Sequence, residues 1–140
     1  MEKTLKEDGS MPKQGWVLSV IAALLMLILA SCGGGSSPGD VIEAYLAAVV
    51  AKDEVTSVRL SCLAWEEQAR AEGAAFDANE VALRDVSCEA VEVQGDEAIV
   101  TCTGSIRFSY EGGVEETLDL EGRFFRTIFE DGEWKMCGYQ

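Results

Sequence analysis

The sequence predicts an α+β domain in which N-terminal helices pack on a sheet of four antiparallel strands. Two observations carry this reading. Apolar residues recur at three- and four-residue spacings from Asp40 to about Glu72, and from Val86 onward the period changes to two. A block of helices followed by a block of strands, without alternation, is the α+β pattern.

The first helix starts at Pro38-Gly39-Asp40, with Asp40 expected as N-cap and Glu43 as its capping-box partner three residues on. Ile42, Tyr45, Leu46, Val49 and Val50 form its apolar face, and Lys52-Asp53-Glu54 ends it. A second helix is expected from Thr56 or Ser57 to about Glu72. Val58, Cys62, Trp65 and Ala69 lie along one side of it, and Leu60, Leu63 and Ala64 widen that side. A short third helix or turn spans Asp77 to Arg84 and brings in Val81 and Leu83.

The strands come next. Val86 to Val93 and Ala98 to Tyr110 form a hairpin around Gly95-Asp96, which is turn chemistry. In the second of these strands, Ala98, Val100, Cys102, Ile106, Phe108 and Tyr110 share a face. In the first, Val86 and Cys88 have one parity while Val91 and Val93 have the other, so a β-bulge is expected near Glu89-Ala90. Gly112-Gly113 turns the chain into one long strand, Glu116 to Phe129. Asp131-Gly132 turns it again into Trp134 to Tyr139, with Trp134 as a core anchor.

Ahead of the domain, residues 1 to 15 are polar, and Trp16 to Ala30 form an apolar run of about 15 residues. That is short of the ~20 that cross a bilayer comfortably and suits a signal-peptide core. The run ends in Leu29, Ala30, Ser31 and Cys32, in the order aliphatic, small, small, cysteine. This tetrapeptide resembles the lipobox of bacterial lipoprotein signal sequences. The resemblance implies cleavage before Cys32 and a diacylglyceryl thioether on its sulfur. The chain then divides into a signal peptide at 1–31, a lipidated cysteine with its Gly/Ser tether at 32–39, and a folded domain at 40–140. Two or three acyl chains anchor stably at ~0.8 kcal/mol per buried methylene. The tether, which carries one proline, has a typical end-to-end distance of roughly 15 Å. The expected location is the cell membrane or outer membrane, facing outside the cytoplasm.

Assigning Cys32 to lipid leaves Cys62, Cys88, Cys102 and Cys137, an even number in an exported domain. With Gln94 and Glu97 flanking the hairpin turn, Val93 faces Ala98 and Val91 faces Val100. One bulged residue then brings Cys88 opposite Cys102, which predicts a Cys88–Cys102 disulfide and leaves Cys62–Cys137 as the second. In the loop-entropy model the shorter closure contributes about 3 kcal/mol and the longer about 4.5. A four-thiolate zinc site would need CxxC-type pairs, which the sequence lacks, so no metal is expected.

The chain has 25 acidic and 11 basic residues and no histidine. Residues 1–31 hold three of each sign, so the net charge of −14 falls wholly on residues 32–140. Such a surface repels phosphate backbones, which argues against nucleic acid as a partner. The absence of histidine excludes Ser-His-Asp and Cys-His catalysis and any histidine metal site.

The helix Asp40-Val41-Ile42-Glu43-Ala44-Tyr45-Leu46-Ala47-Ala48, the hairpin Gly95-Asp96-Glu97-Ala98-Ile99-Val100 and the terminal Glu130-Asp131-Gly132-Glu133-Trp134-Lys135-Met136 together resemble small lipoproteins of the nuclear transport factor 2-like, or cystatin-like, superfamily. The resemblance implies helices packed in the concave face of a curved antiparallel sheet, a cone able to hold a pocket. Enzymes of this group place an Asp, His or Tyr in the cone. Tyr45, Tyr110, Asp53 and Asp119 are the candidates here, with no motif to single one out, and Tyr45 reads as core. No catalytic residue and no cofactor is therefore assigned. The expected function is a non-catalytic, membrane-tethered envelope domain that binds a protein or a small ligand. The alternative is a cone-pocket enzyme, isomerase- or dehydratase-like, using a buried carboxylate or tyrosine.

Overall fold

Helix α1 runs Pro38–Val50, and its N-cap lies three residues ahead of the expected one. Ser37 is that cap: its Oγ accepts from the Asp40 N–H at 3.1 Å, and Asp40 Oδ2 accepts from the Ser37 N–H at 2.8 Å. Pro38 fits the first helical position, where no N–H is needed. Asp40 is thus the third residue of the capping box and not the cap, and those bonds hold its carboxyl below the usual range. Glu43 is released from capping and accepts the Cys88 N–H at 2.7 Å. These elements belong to residues 36–140, which are the residues described in this computed structural model.

Ile42, Tyr45, Leu46 and Val49 are buried along α1, as the periodicity predicts, whereas Val50 is only half-buried and Val41, outside the expected face, is buried as well. The helix stops at Lys52, which adopts φ 58°. Asp53 then caps the short helix α2, Glu54–Arg59, by accepting the Thr56 N–H at 3.0 Å. The single helix expected from Thr56 to Glu72 is broken here. The Cys62 N–H donates to Met136 O and the Met136 N–H to Leu60 O, both at 2.8 Å, so the last strand takes the backbone groups that a continuous helix would have used. Helix α3 resumes at Glu66–Ala75.

Of the helix or turn expected from Asp77 to Arg84, only a turn at 76–78 forms, and the rest is strand. Strand β1, Glu80–Gln94, starts six residues before Val86 because Val81 and Leu83 alternate, pairing with Phe108 and Ile106 of β2, Glu97–Ser109. The register places Val93 opposite Ala98 and Cys88 opposite Cys102. The bulged residue is Val91, between Ala90 and Glu92, one position beyond the expected Glu89-Ala90, so Ala90 takes the place opposite Val100. A second bulge lies between Arg84 and Ser87. Across from it sits Gly104 at φ 89°, where a Cβ would stand 2.5 Å from the carbonyl oxygens of both Arg84 and Asp85.

The long strand expected from Glu116 to Phe129 is two strands, β3 Glu115–Asp119 and β4 Phe124–Glu130. A turn through Gly122 at φ 78° separates them, and the Leu120 N–H is given to Gly104 O at 3.0 Å. Both strands pair with β2 on its side away from β1, β3 with Ser105–Ser109 and β4 with Glu97–Thr101. Strand β5, Glu133–Tyr139, completes a five-stranded antiparallel sheet of order β1-β2-β4-β5, with β3 on β2.

The architecture is α+β, with helices on one face of the sheet and a core built on Ile42, Tyr45, Val100, Leu120, Phe125 and Met136. Cys88–Cys102 and Cys62–Cys137 stand at disulfide distance, with S–S separations of 2.02 and 2.04 Å. Cys62 leaves an irregular segment and not a helix face to reach β5. Among the described residues no helix is long and apolar enough to cross a membrane.

Candidate functional site

The apolar faces of α1 and the sheet meet over most of their length, but toward β3 they part and leave a cavity of about 180 Å³. Leu46 and Val49 of α1, Phe76 after α3, Ile106 of β2, Leu120 and Phe125 supply its apolar walls. Three groups with polar or charged heads also line it, Glu72 of α3, Arg123 of the β3–β4 turn and Tyr139 of β5.

Glu72 is the centre of a hydrogen-bond network. Its Oε2 accepts from the Tyr45 hydroxyl at 2.6 Å and from the Tyr139 hydroxyl at 3.1 Å, while Trp65 Nε1 donates to the Tyr45 oxygen at 3.2 Å. Tyr45 is fully buried, and a buried phenol needs such a partner. Burial, then the hydrogen bond to Glu72, raises the Tyr45 hydroxyl far above the ordinary phenol range. Tyr139 is raised for the same first reason, aided by the charge of Glu72. Both phenols therefore stay protonated at neutral pH and act as fixed donors. Trp65 and Phe125 hold the Tyr139 ring, with centroids at 5.5 and 5.3 Å.

The sequence candidates separate cleanly. Only Tyr45 belongs to this cluster, and it stands behind Glu72, outside the cavity lining. Asp53 is a helix cap whose carboxyl is lowered by the hydrogen bonds from Thr56. Tyr110 lies at the β2–β3 turn and donates to Glu116 Oε2 at 2.9 Å. Asp119 is exposed, and its backbone oxygen accepts from Arg123 Nε at 2.9 Å. Trp134 is half-buried and packs edge-on against Phe129, with centroids 5.4 Å apart. Leu29, Ala30, Ser31 and Cys32 lie outside the described residues.

Glu72, Arg123 and Tyr139 were not singled out by sequence. The available signals were the partner that Tyr45 required on an apolar helix face and Gly122 inside a supposed strand, which marked a break beside Arg123.

No family model and no curated protein matches the chain. Solved structures do. A SEC-C motif containing protein from Rhodopseudomonas palustris aligns with a TM-score of 0.53 at 17% identity, over 80% of this chain and 84% of the other. A proposed polyketide cyclase from Pseudomonas putida aligns with a TM-score of 0.50 at 16% identity, over 76% and 92%. Both share this chain's architecture of helices packed on an open antiparallel sheet. At such identities the likeness extends to the fold alone, and function has to be argued from the site.

Proposed function

We propose that the protein is a membrane-tethered binding domain working outside the cytoplasm, with the cone cavity as the seat of a small, mainly apolar ligand. The cavity carries this reading. A 150 Å³ cavity lined by aliphatic and aromatic side chains is enough to bind benzene, and about 180 Å³ with similar walls suits a ligand of single-ring size. The non-catalytic character rests on the commitments of the polar groups. The two phenols are locked as donors to Glu72, and the chain has no histidine to shuttle protons at neutral pH.

Attachment to the membrane rests on the Leu29-Ala30-Ser31-Cys32 sequence, and two cysteine pairs at disulfide distance suit an oxidising compartment. Replacing Cys32→Ser should move the protein to the soluble fraction of cells. Membrane retention at wild-type levels would overturn the anchor.

A second reading is favoured by the carboxylate of Glu72 facing the cavity and by the fold shared with the proposed cyclase. In that reading Glu72 removes a proton next to a carbonyl. Glu72-dependent exchange of the α-protons of cyclohexanone with deuterated water would support it, and exchange unchanged in Glu72→Gln would remove it.

A further inference from the structure

Two opposite charges face the cavity without neutralising each other. Glu72 and Arg123 both line it, yet no ion pair within 4 Å joins them among the described residues. Each is held by other bonds. Glu72 spends Oε2 on the two phenols, and among the described residues no hydrogen bond reaches its Oε1. Arg123 spends Nε on the Asp119 carbonyl, which fixes the side chain beside β3, and among the described residues its two terminal nitrogens make no hydrogen bond. The polar end of the cavity therefore presents an acceptor and a donor fork over apolar walls.

A bare hydrocarbon would offer no partner to Glu72 Oε1 or to the terminal nitrogens of Arg123. A simple amine would satisfy Glu72 but meet the guanidinium, and a simple acid would satisfy Arg123 but meet Glu72. The acid is further opposed by the surplus of negative charge on the whole chain. We propose that the cavity selects a molecule with a single-ring-sized apolar body and one head that donates to Glu72 and accepts from Arg123. A neutral primary carboxamide and a zwitterionic amino acid share that chemistry. This inference rests on the cavity being the binding site of the proposed function.

The test is calorimetric titration of the full chain in lipid nanodiscs, referenced to empty nanodiscs, with toluene, benzylamine, benzoate, benzamide and phenylglycine. Benzamide or phenylglycine should bind about tenfold or more tighter than each of the other three, since hydrogen bonds to charged groups are the strong ones. Whichever of the two leads decides between the neutral and the zwitterionic head. Arg123→Gln, at an exposed turn position, should abolish that preference. Glu72→Gln keeps an acceptor for the phenols and should improve benzoate relative to benzylamine. Benzylamine or benzoate matching the leading probe, or a preference that survives Arg123→Gln, would overturn the inference. Toluene binding with no head preference would sink it while leaving the cavity as a site. If no probe binds, the cavity reading fails first and takes this one with it.

Discussion

Substituting Gly39→Ala should be far more damaging than a helical glycine-to-alanine change normally is. Gly39 lies in the first turn of α1 with its Cα against β1. An added Cβ would overlap the Cys88 carbonyl oxygen and stand 2.9 Å from its carbon and 3.3 Å from Glu89 Cα. These are backbone atoms beside a disulfide, so they cannot swing aside as a side-chain tip would. Relief requires α1 to move away from β1, and that stretches the 2.7 Å bond from the Cys88 N–H to Glu43 one turn further along. Overpacking costs about 1–3 kcal/mol, and weakening a hydrogen bond to a carboxylate adds up to about 1.5–3 kcal/mol. Against this, alanine gains roughly 0.5–1 kcal/mol over glycine within a helix. The net loss is about 1.5–5.5 kcal/mol, which for a domain of this size lowers the thermal midpoint by roughly 7–27 °C. Gly73 of α3 is the matched control, because a Cβ there meets nothing within 4 Å. Urea unfolding of the oxidised proteins, followed by circular dichroism, should show Gly73→Ala at or slightly above wild-type stability and Gly39→Ala well below it. Equal stability of the two variants would refute the close seating of α1 on β1.

Two further expectations concern the cross-links and the phenols. The Cys62–Cys137 bond closes 75 residues and Cys88–Cys102 closes 14, so removing the first by paired serine substitution should cost about 1.5 kcal/mol more than removing the second in the loop-entropy model. The reverse order in urea would show that native-state contacts outweigh chain entropy here. The phenols of Tyr45 and Tyr139 are raised above the unfolded value of 10.0. Their contribution is complete below that pH and is lost as pH rises toward their folded values, because the unfolded chain releases protons that the folded one keeps. Stability should decline above pH 10 by up to about 1.4 kcal/mol per pH unit for each tyrosine. Phenolate absorbance at 295 nm should show both ionising only as the protein unfolds; early titration of either would contradict the Glu72 network.

What was legible in the sequence was whatever depended on short-range period. The buried face of α1, the Gly95-Asp96 hairpin and the Cys88–Cys102 register each arise from residues a few positions apart. Sequence and structure part where a distant partner decides the local conformation. Leu60 to Trp65 carry enough apolar side chains for a helix, but Met136 claims their backbone and Leu63 is left 78% exposed. Val81 and Leu83 fit a helix turn or a strand equally, and only Phe108 and Ile106 across the sheet choose between them. Ser37 and Asp40 are two competing caps for α1, and their reciprocal bonds settle the start on Ser37. By sequence alone Glu72 is only a charge at the end of a helix. Its meaning comes from Tyr45 and Tyr139, which stand 27 and 67 residues away.

The irregularities around Gly104 lie in one line across the sheet: the Arg84–Ser87 bulge on one side, Gly104 in the middle, and the Leu120 break between β3 and β4 on the other. This crease divides the molecule into unequal parts. Both covalent cross-links fall on the β4–β5 side, whereas Ile106, Leu118 and Leu120, which wall the cavity, lie along it or beyond it. Beyond it, β3 is bound to the sheet through β2 alone. The cross-linked part is the better reinforced of the two, so local opening should be cheapest at β3. Amide exchange should be faster in β3 than in β4, and occupancy of the cavity should narrow that difference.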